Sequence, residues 1–468
     1  MRRLSALVAV LFLALPFTLA EEPTLAAGRI IDKVICSDNP QQTYALYLPS
    51  RYSPAAKWPI IYVFDPMARG DVAVEAIHEA AEQYGYIVAA SNNSRNGSFG
   101  DSSEAANAIS QDTHERLSID DRRVYVAGFS GGARLATEIA ILCKTCIAGV
   151  LASGAGFPIN TPPSKDIHFA YFLAVGNADF NFPEGVALRQ QLEQVHAVYR
   201  IRNFDGGHEW APSPVWKEAL GWMDLQAMRS GSQPKEANTV QQIFQQELEL
   251  ARADQKTGKL LASQREYQYM ARDFDGLTDT SEVKTQLAQL KSEKQLKSEE
   301  KQERADVDRQ AKLAGKASAQ MQGILTNDTD MTTYAEITRT MVGLKADISK
   351  ASNQQDPSVL VMRRALGQLV VQAYESGDRA LEQKNYPAAL KYFDLLVAGT
   401  SSPGGALYER ARVYAAQGDA QKCLSELQQA QAAGFHDPKA LQAAEFNQYR
   451  QLPQFRDLQS EWNKQARP

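Results

Sequence analysis

Val124-Tyr-Val-Ala-Gly-Phe-Ser130-Gly-Gly-Ala133 is the stretch whose reading decides the fold. An apolar β-type run ends in Gly128-Phe129-Ser130-Gly131-Gly132 and passes at once into a helix-like sequence, Ala133 to Cys143. A serine nucleophile needs that layout. On a sharp strand-to-helix turn its hydroxyl stands clear of the sheet edge, and glycines two residues to either side let the turn close without a Cβ clash. The first amides of the following helix then point to where an oxyanion would form. Gly-x-Ser-x-Gly alone is a weak signal and also fits a plain βα turn; the strand before it and the helix after it make it specific.

Such a serine needs an acid and then a histidine further along the chain. His168-Phe-Ala-Tyr-Phe-Leu-Ala-Val175 reads as a buried strand, and Gly176-Asn-Ala-Asp179 follows its C-terminal end. Ala197-Val-Tyr-Arg-Ile201 is the next strand candidate and leads into Asn203-Phe-Asp-Gly-Gly-His208-Glu-Trp210. Loops that directly follow strands converge on one edge of a parallel sheet. Ser130, Asp179 and His208 are therefore the expected catalytic set: His208 takes the serine proton, and Asp179 fixes the imidazole tautomer and stabilises the imidazolium. Asp205 is too close to His208 in sequence to occupy a separate loop, and His78, His114, His168, His196 and His436 fall in helix-like stretches, at strand starts or far toward the C-terminus.

Residues 28–230 alternate strand and helix signals. Strands are expected at Ile30–Cys36, Tyr44–Leu48, Pro59–Phe64, Ile87–Ala90, Val124–Ala127, Ile147–Ala152, Phe169–Val175 and Ala197–Ile201, the first two as a hairpin-like pair. Helices are expected at Val72–Tyr84, Glu104–Leu117, Ala133–Leu142, Glu184–Val195 and Val215–Met228. The fold class this implies is α/β, a mostly parallel sheet covered by helices on both faces. Residues 235–350 read as a charged helical linker region, with Val240, Ile243, Phe244, Leu248 and Ala251 at helical spacing. Ser281 to Lys316 has an apolar seam (Val283, Leu287, Leu290) that fades after Leu296, which favours a solvated helix over a coiled-coil dimer seam.

Residues 360–468 contain an internal repeat. Lys384-Asn-Tyr-Pro-Ala-Ala-Leu390 aligns with Gly418-Asp-Ala-Gln-Lys-Cys-Leu424 at a shift of 34, and small residues (Ala388, Ala389, Ala411, Ala415, Ala430) recur where paired helices must approach. This pattern resembles tetratricopeptide repeats, which implies stacked helical hairpins and a protein partner on a concave face. An unrelated helical bundle is the other reading.

The chain has 468 residues, enough for two or three domains, with 44% hydrophobic and 22% charged residues and a net charge of −5. That composition is globular and gives no support for a nucleic-acid partner. Arg2 and Arg3, an apolar run from Leu4 to Leu19, and Thr18-Leu19-Ala20 before Glu21-Glu22 read as a signal peptide over residues 1–20, so a periplasmic or secreted protein without stable membrane insertion is expected. An uncleaved anchor is the alternative. Of the four cysteines, Cys143 and Cys146 are spaced for a short bridge, a pairing of one of them with Cys36 is the alternative, and Cys423 reads as a buried small residue. No metal and no organic cofactor is expected.

Residues 28–228 resemble the α/β-hydrolase superfamily, in particular secreted esterases of the polyhydroxybutyrate-depolymerase and feruloyl-esterase type. The resemblance rests on Gly128-Phe-Ser-Gly-Gly132, on Gly176-Asn-Ala-Asp179 with Pro183 following, and on Gly206-Gly-His208-Glu-Trp210. It implies hydrolysis of a small or polymeric carboxylic ester through an acyl-enzyme on Ser130. It also implies an oxyanion hole formed by the amides of Gly131 and Met67. The chain departs from the family after the third strand, where His-Gly is usual and Phe64-Asp65-Pro66-Met67-Ala68-Arg69-Gly70 stands instead. Pro66 has no N–H to donate, and Asp65 brings a carboxylate to the site that needs a counter-charge such as Arg69. Asp65, Asn92 and Trp210 are the expected substrate-pocket residues, with Asn93 beside them. A catalytically weak hydrolase-like domain in a protein-binding scaffold and a serine peptidase of the same superfamily are the competing readings.

Overall fold

In the computed structural model, residues 25–97, 99–326 and 330–465 are described; the expected signal peptide lies outside them. The apolar runs of the first half form one eight-stranded sheet: β1 (Ile30–Ile35), β2 (Thr43–Tyr47), β3 (Trp58–Phe64), β4 (Ile87–Ser91), β5 (Ile119–Phe129), β6 (Gly149–Ser153), β7 (Ala170–Gly176) and β8 (Tyr199–Phe204). Their order is β1-β2-β4-β3-β5-β6-β7-β8, with β1, β2 and β4 antiparallel and every later pairing parallel. β5 is longer than its apolar segment because Ile119 at its start pairs with Trp58. The strands are nearly continuous apolar runs because both faces are covered.

Alternate residues of each strand enter separate cores. Ile61, Val63, Tyr125 and Ala127 pack with α1 (Gly70–Tyr84) and α5 (Ser213–Ser230). Ile60, Tyr62, Phe64, Val124 and Val126 pack with α2 (Phe99–Arg116), α3 (Gly131–Cys143) and α4 (Phe182–Gln194). Each crossover helix buries one stripe against the sheet; for α1 that stripe is Ala73, Val74, Ile77, Ala80 and Ala81. Cys143 and Cys146 form a disulfide just past α3, while Cys36 and Cys423 are buried free thiols.

The region expected to be a linker is built differently. α6 (Ala237–Lys256) and α7 (Leu260–Asp273) place Val240, Ile243, Phe244, Leu248, Tyr267 and Met270 in the same core as α1 and α5, so they complete the α/β unit instead of leading away from it. Arg200 of β8, buried, pairs with Glu247 of α6 at 2.7 and 2.9 Å and with Asp273 of α7 at 2.9 Å. A buried guanidinium costs least with its charge and hydrogen bonds matched, and these pairings lock both helices in register.

The mixed-charge stretch expected as one solvated helix is two helices, α8 (Ser281–Leu290) and α9 (Lys294–Gln322). α9 buries Ala314, Ala317 and Met321 in a helical core shared with α10 (Met331–Lys350), α11 (Pro357–Glu382) and α12 (Tyr386–Gly399). Its narrow stripe of small residues escaped notice because alanines carry little hydropathy signal, yet they let α11 approach closely.

α11 with α12, and α13 (Gly404–Ala416) with α14 (Ala420–Ala432), form successive helical hairpins, followed by α15 (Pro453–Gln465). The shift of 34 is visible in the caps. Asn385 accepts from Ala388 N and Asp419 from Lys422 N, and the residue before each, Lys384 and Gly418, is left-handed. The fold class is thus an α/β unit with a mostly parallel sheet, followed by an all-α region. No helix among the described residues is long and apolar enough to cross a membrane.

Candidate active site

Chain order reverses across β3: β4 lies on one side and β5 on the other, and the crevice at their C-terminal ends is where an open α/β sheet binds ligands. Ser130 occupies that point at φ 52° and ψ −121°, a conformation that is costly for a residue with a Cβ. Two close approaches hold it there. A Cβ on Gly128 would lie 2.2 Å from the carbonyl oxygen of Gly132, and a Cβ on Gly132 would lie 2.0 Å from that of Phe64. Ser130 N also donates to Ser153 O of β6 at 2.8 Å.

The acid and base loops meet the serine here. His208 Nε2 is 2.9 Å from Ser130 Oγ, and His208 Nδ1 is 2.9 and 3.0 Å from the two carboxylate oxygens of Asp179. The imidazole packs against Phe129 at 4.7 Å and Phe180 at 4.2 Å between ring centroids, both rings tilted by 41° to it. Asp179 is fully buried, and burial raises its carboxyl above the ordinary range, against the pull of His208 and the Asn181 amide. Asn181 N donates to Asp179 Oδ1 at 2.8 Å, and Asn181 Nδ2 donates to Gly154 O at 2.7 Å, which ties the acid loop to the end of β6.

The loop after β3 departs from expectation. Asp65 is buried and turns the loop in on itself: its Oδ1 accepts from Met67 N at 2.8 Å and Arg69 N at 3.4 Å. Arg69 pairs with both of its oxygens, at 3.0 and 2.9 Å, and Ala68 N donates to Asp65 O at 3.2 Å. The Met67 amide expected in the oxyanion hole is therefore committed to the Asp65 carboxylate, while the Met67 side chain is exposed. Asp65 does have its counter-charge, in the bidentate geometry that a guanidinium matches best.

The three pocket residues read from sequence are structural braces as well. Asp65 has its carboxylate engaged by the Met67 and Arg69 amides and by the Arg69 guanidinium. Trp210 Nε1 donates to Asp65 Oδ2 at 3.0 Å, which joins the base loop to the β3 loop. Asn92 Nδ2 donates to Asp32 O at 3.0 Å, fastening β1 to the end of β4, and Asn93 Nδ2 donates to Gln41 O at 3.0 Å.

Gly131 begins α3 directly after the serine. Asn96, which the sequence reading passed over, lies against it: a Cβ on Gly131 would sit 1.8 Å from Asn96 Oδ1 and 3.2 Å from its Nδ2. The Asn96 backbone is anchored by its N–H to Pro66 O at 2.9 Å. Nothing local in Ser94-Arg95-Asn96-Gly97 distinguishes this asparagine from an ordinary turn residue.

No family model matches the chain, and no curated protein matches it. Among solved structures it is similar to an S-formylglutathione hydrolase from Staphylococcus aureus, at 14% identity over 39% of this chain and 90% of that one, with a TM-score of 0.33. It is also similar to a ferulic acid esterase, at 18% identity over 41% and 93% with a TM-score of 0.32. A third is Est1E from Butyrivibrio proteoclasticus, at 12% identity over 42% and 98% with a TM-score of 0.34. At these scores the similarities carry no inference about activity, and the fold rests on the strand order and crossovers described above.

Proposed function

We propose that this chain is an exported serine hydrolase acting on carboxylic esters. The observation that carries the reading is the unbroken chain of contacts from Ser130 Oγ through the His208 imidazole to buried Asp179. Ser130 attacks the acyl carbon while His208 Nε2 takes its proton and returns it to the leaving alcohol. Asp179 holds Nδ1–H and stabilises the imidazolium, and water then repeats the sequence on the acyl-enzyme. Burial of Asp179 strengthens that interaction by excluding competing water.

The oxyanion is assigned to the Gly131 amide and the side-chain amide of Asn96. With Met67 N turned to Asp65, Asn96 is the polar group lying over Gly131; its Oδ1 and Nδ2 are interchangeable by a flip of the amide, which turns Nδ2 to the anion. A small or extended, partly polar ester suits a domain in which no extended apolar lid segment stands among the described residues. The helical hairpins suit a protein partner, as the resemblance to tetratricopeptide repeats implies.

The inward-turned β3 loop favours a second reading, a catalytically weak domain in a scaffold. A fluorophosphonate probe separates the two, because it modifies only an activated serine. Purified mature protein should label, and Ser130→Ala should not. A folded wild-type protein that stays unlabelled would replace the hydrolase reading with the scaffold.

A further inference from the structure

Arg364 is 4% exposed. It lies in the first third of α11, and its Nη1 is buried with no hydrogen-bond partner among the described residues. Burial pulls its guanidinium down to about 10, with Asp306, Glu303 and Asp179 pulling the other way. Such a residue opposes folding, and an apolar side chain would pack the same position at less cost. What it supplies is geometry. Its Nε donates to Asn177 O at 2.6 Å, and its guanidinium stacks at 3.6 Å from the centre of the Phe182 ring.

Asn177 and Phe182 bracket the acid loop, with Asp179 between them. A second strut reaches the same loop from α9: Gln310, 3% exposed, donates from Nε2 to Phe180 O at 2.8 Å. Gly367 of α11 lies beside the Phe180 side chain, which is 3.8 Å from the position a Cβ would take there. Phe180 in turn packs against the His208 ring. The α/β unit holds the same loop from the sheet side, through Asn177 N to Phe204 O and Ala178 N to Gly206 O, each at 2.8 Å, and through Asn181 Nδ2 to Gly154 O at 2.7 Å, and the two struts add a hold from the helical side. Two helices from beyond residue 290 thus grip the loop on both sides of the acid.

We propose that α9 and α11 belong to the catalytic apparatus, with Arg364 and Gln310 as positioning residues that hold the 177–182 loop, and through it Asp179 and His208, in register with Ser130. This rests on the hydrolase reading above. The helical region then works first on its own α/β unit, and anything that shifts α11 acts on the triad.

The test uses the full mature chain as wild type, Arg364→Met and Gln310→Ala. Fluorophosphonate labelling rate, kcat and KM for p-nitrophenyl acetate, and amide hydrogen exchange of peptides covering 177–182 are measured well below the melting temperature. Arg364→Met is expected to lower kcat and the labelling rate about tenfold or more, because small misplacements of catalytic groups are costly, with KM within about twofold. Exchange at 177–182 should accelerate while the rest of the α/β unit is unchanged. Gln310→Ala should do the same to a smaller degree, and it carries the test alone should Arg364→Met fail to fold. Folded variants with wild-type labelling rate and kcat overturn the proposal, even with faster exchange, since the struts would then be packing only. Wild-type protein that does not label removes the hydrolase reading itself; labelled wild type with unaffected variants removes only this inference.

Discussion

Ser130 holds a left-handed φ of 52° that other residues of its size rarely adopt, and the neighbouring side chains make that strain useful. The hydroxyl faces His208, while the residue after it, Gly131, is overlain by Asn96. Deleting the Asn96 side chain removes one assigned oxyanion donor and nothing from the triad. Asn96→Ala should therefore lower kcat for ester hydrolysis by ~10²–10³ with KM nearly constant, as single oxyanion donors do. A Met67→Ala change should leave kcat intact, because the Met67 amide stays with Asp65. Steady-state kinetics of both variants checks the assignment, and a kcat insensitive to Asn96 would remove that residue from the hole.

At the scale of elements, the elbow depends on three chains of backbone passing within contact distance: the end of β3, the end of β5 and the start of α3. Gly132→Ala drives a Cβ to 2.0 Å from the Phe64 carbonyl oxygen, a backbone atom that cannot rotate away. Overpacking of this kind costs about 1–3 kcal/mol or more. A lowered Tm and lost fluorophosphonate labelling are expected together. Gly315→Ala is the contrasting case, because that glycine sits inside α9 with open space around its Cβ position. It should raise stability by about 0.5–1 kcal/mol through helix propensity, measured by urea titration.

The elements themselves were legible. Strand runs buried on both faces have few alternatives, and each member of the Ser, Asp, His set announces itself by following a strand. What escaped the sequence reading was the buried side of α9 and the two struts: Gln310 falls in a stretch read as a solvated helix and Arg364 carries no local signal, because their partners Phe180 and Asn177 lie 130 and 187 residues away. Asp65 misled for a related reason. Its charge was visible, but the turn that spends it on Met67 N and Arg69 is set by the path of the loop.

For the molecule as a whole, the core shared by α1, α5, α6 and α7 carries a pH signature. Asp224 of α5 is 6% exposed and accepts from the Tyr86 hydroxyl at 2.6 Å. Burial raises its carboxyl from 3.8 to about 6, only partly offset by Tyr86, Arg123 and Arg51. The folded chain therefore holds this proton more tightly than the unfolded one. The stabilisation is complete below pH ~4, fades between pH ~4 and 6, and leaves a penalty of about 3 kcal/mol above that window, at 1.36 kcal/mol per unit. Asp224→Asn keeps an acceptor for Tyr86 and never ionises. Its Tm should exceed that of wild type at pH 8 and match it near pH 4; equal values at both would show that the buried charge does not limit stability.

The sequence by itself determined the alternation of strand and helix, the glycines that close the elbow, the order of Ser130, Asp179 and His208 after three of the strands, and the 34-residue repeat. Those are local facts, written in hydropathy period, Cβ sterics and capping chemistry. Only the tertiary structure decided where the Met67 amide points, that Asn96 lies over Gly131, that α6 and α7 finish the first core, and that helices α9 and α11 hold the acid loop. Each of these depends on which polar groups meet after distant segments pack. A donor or acceptor has no preferred partner in the sequence until burial removes water as the competitor.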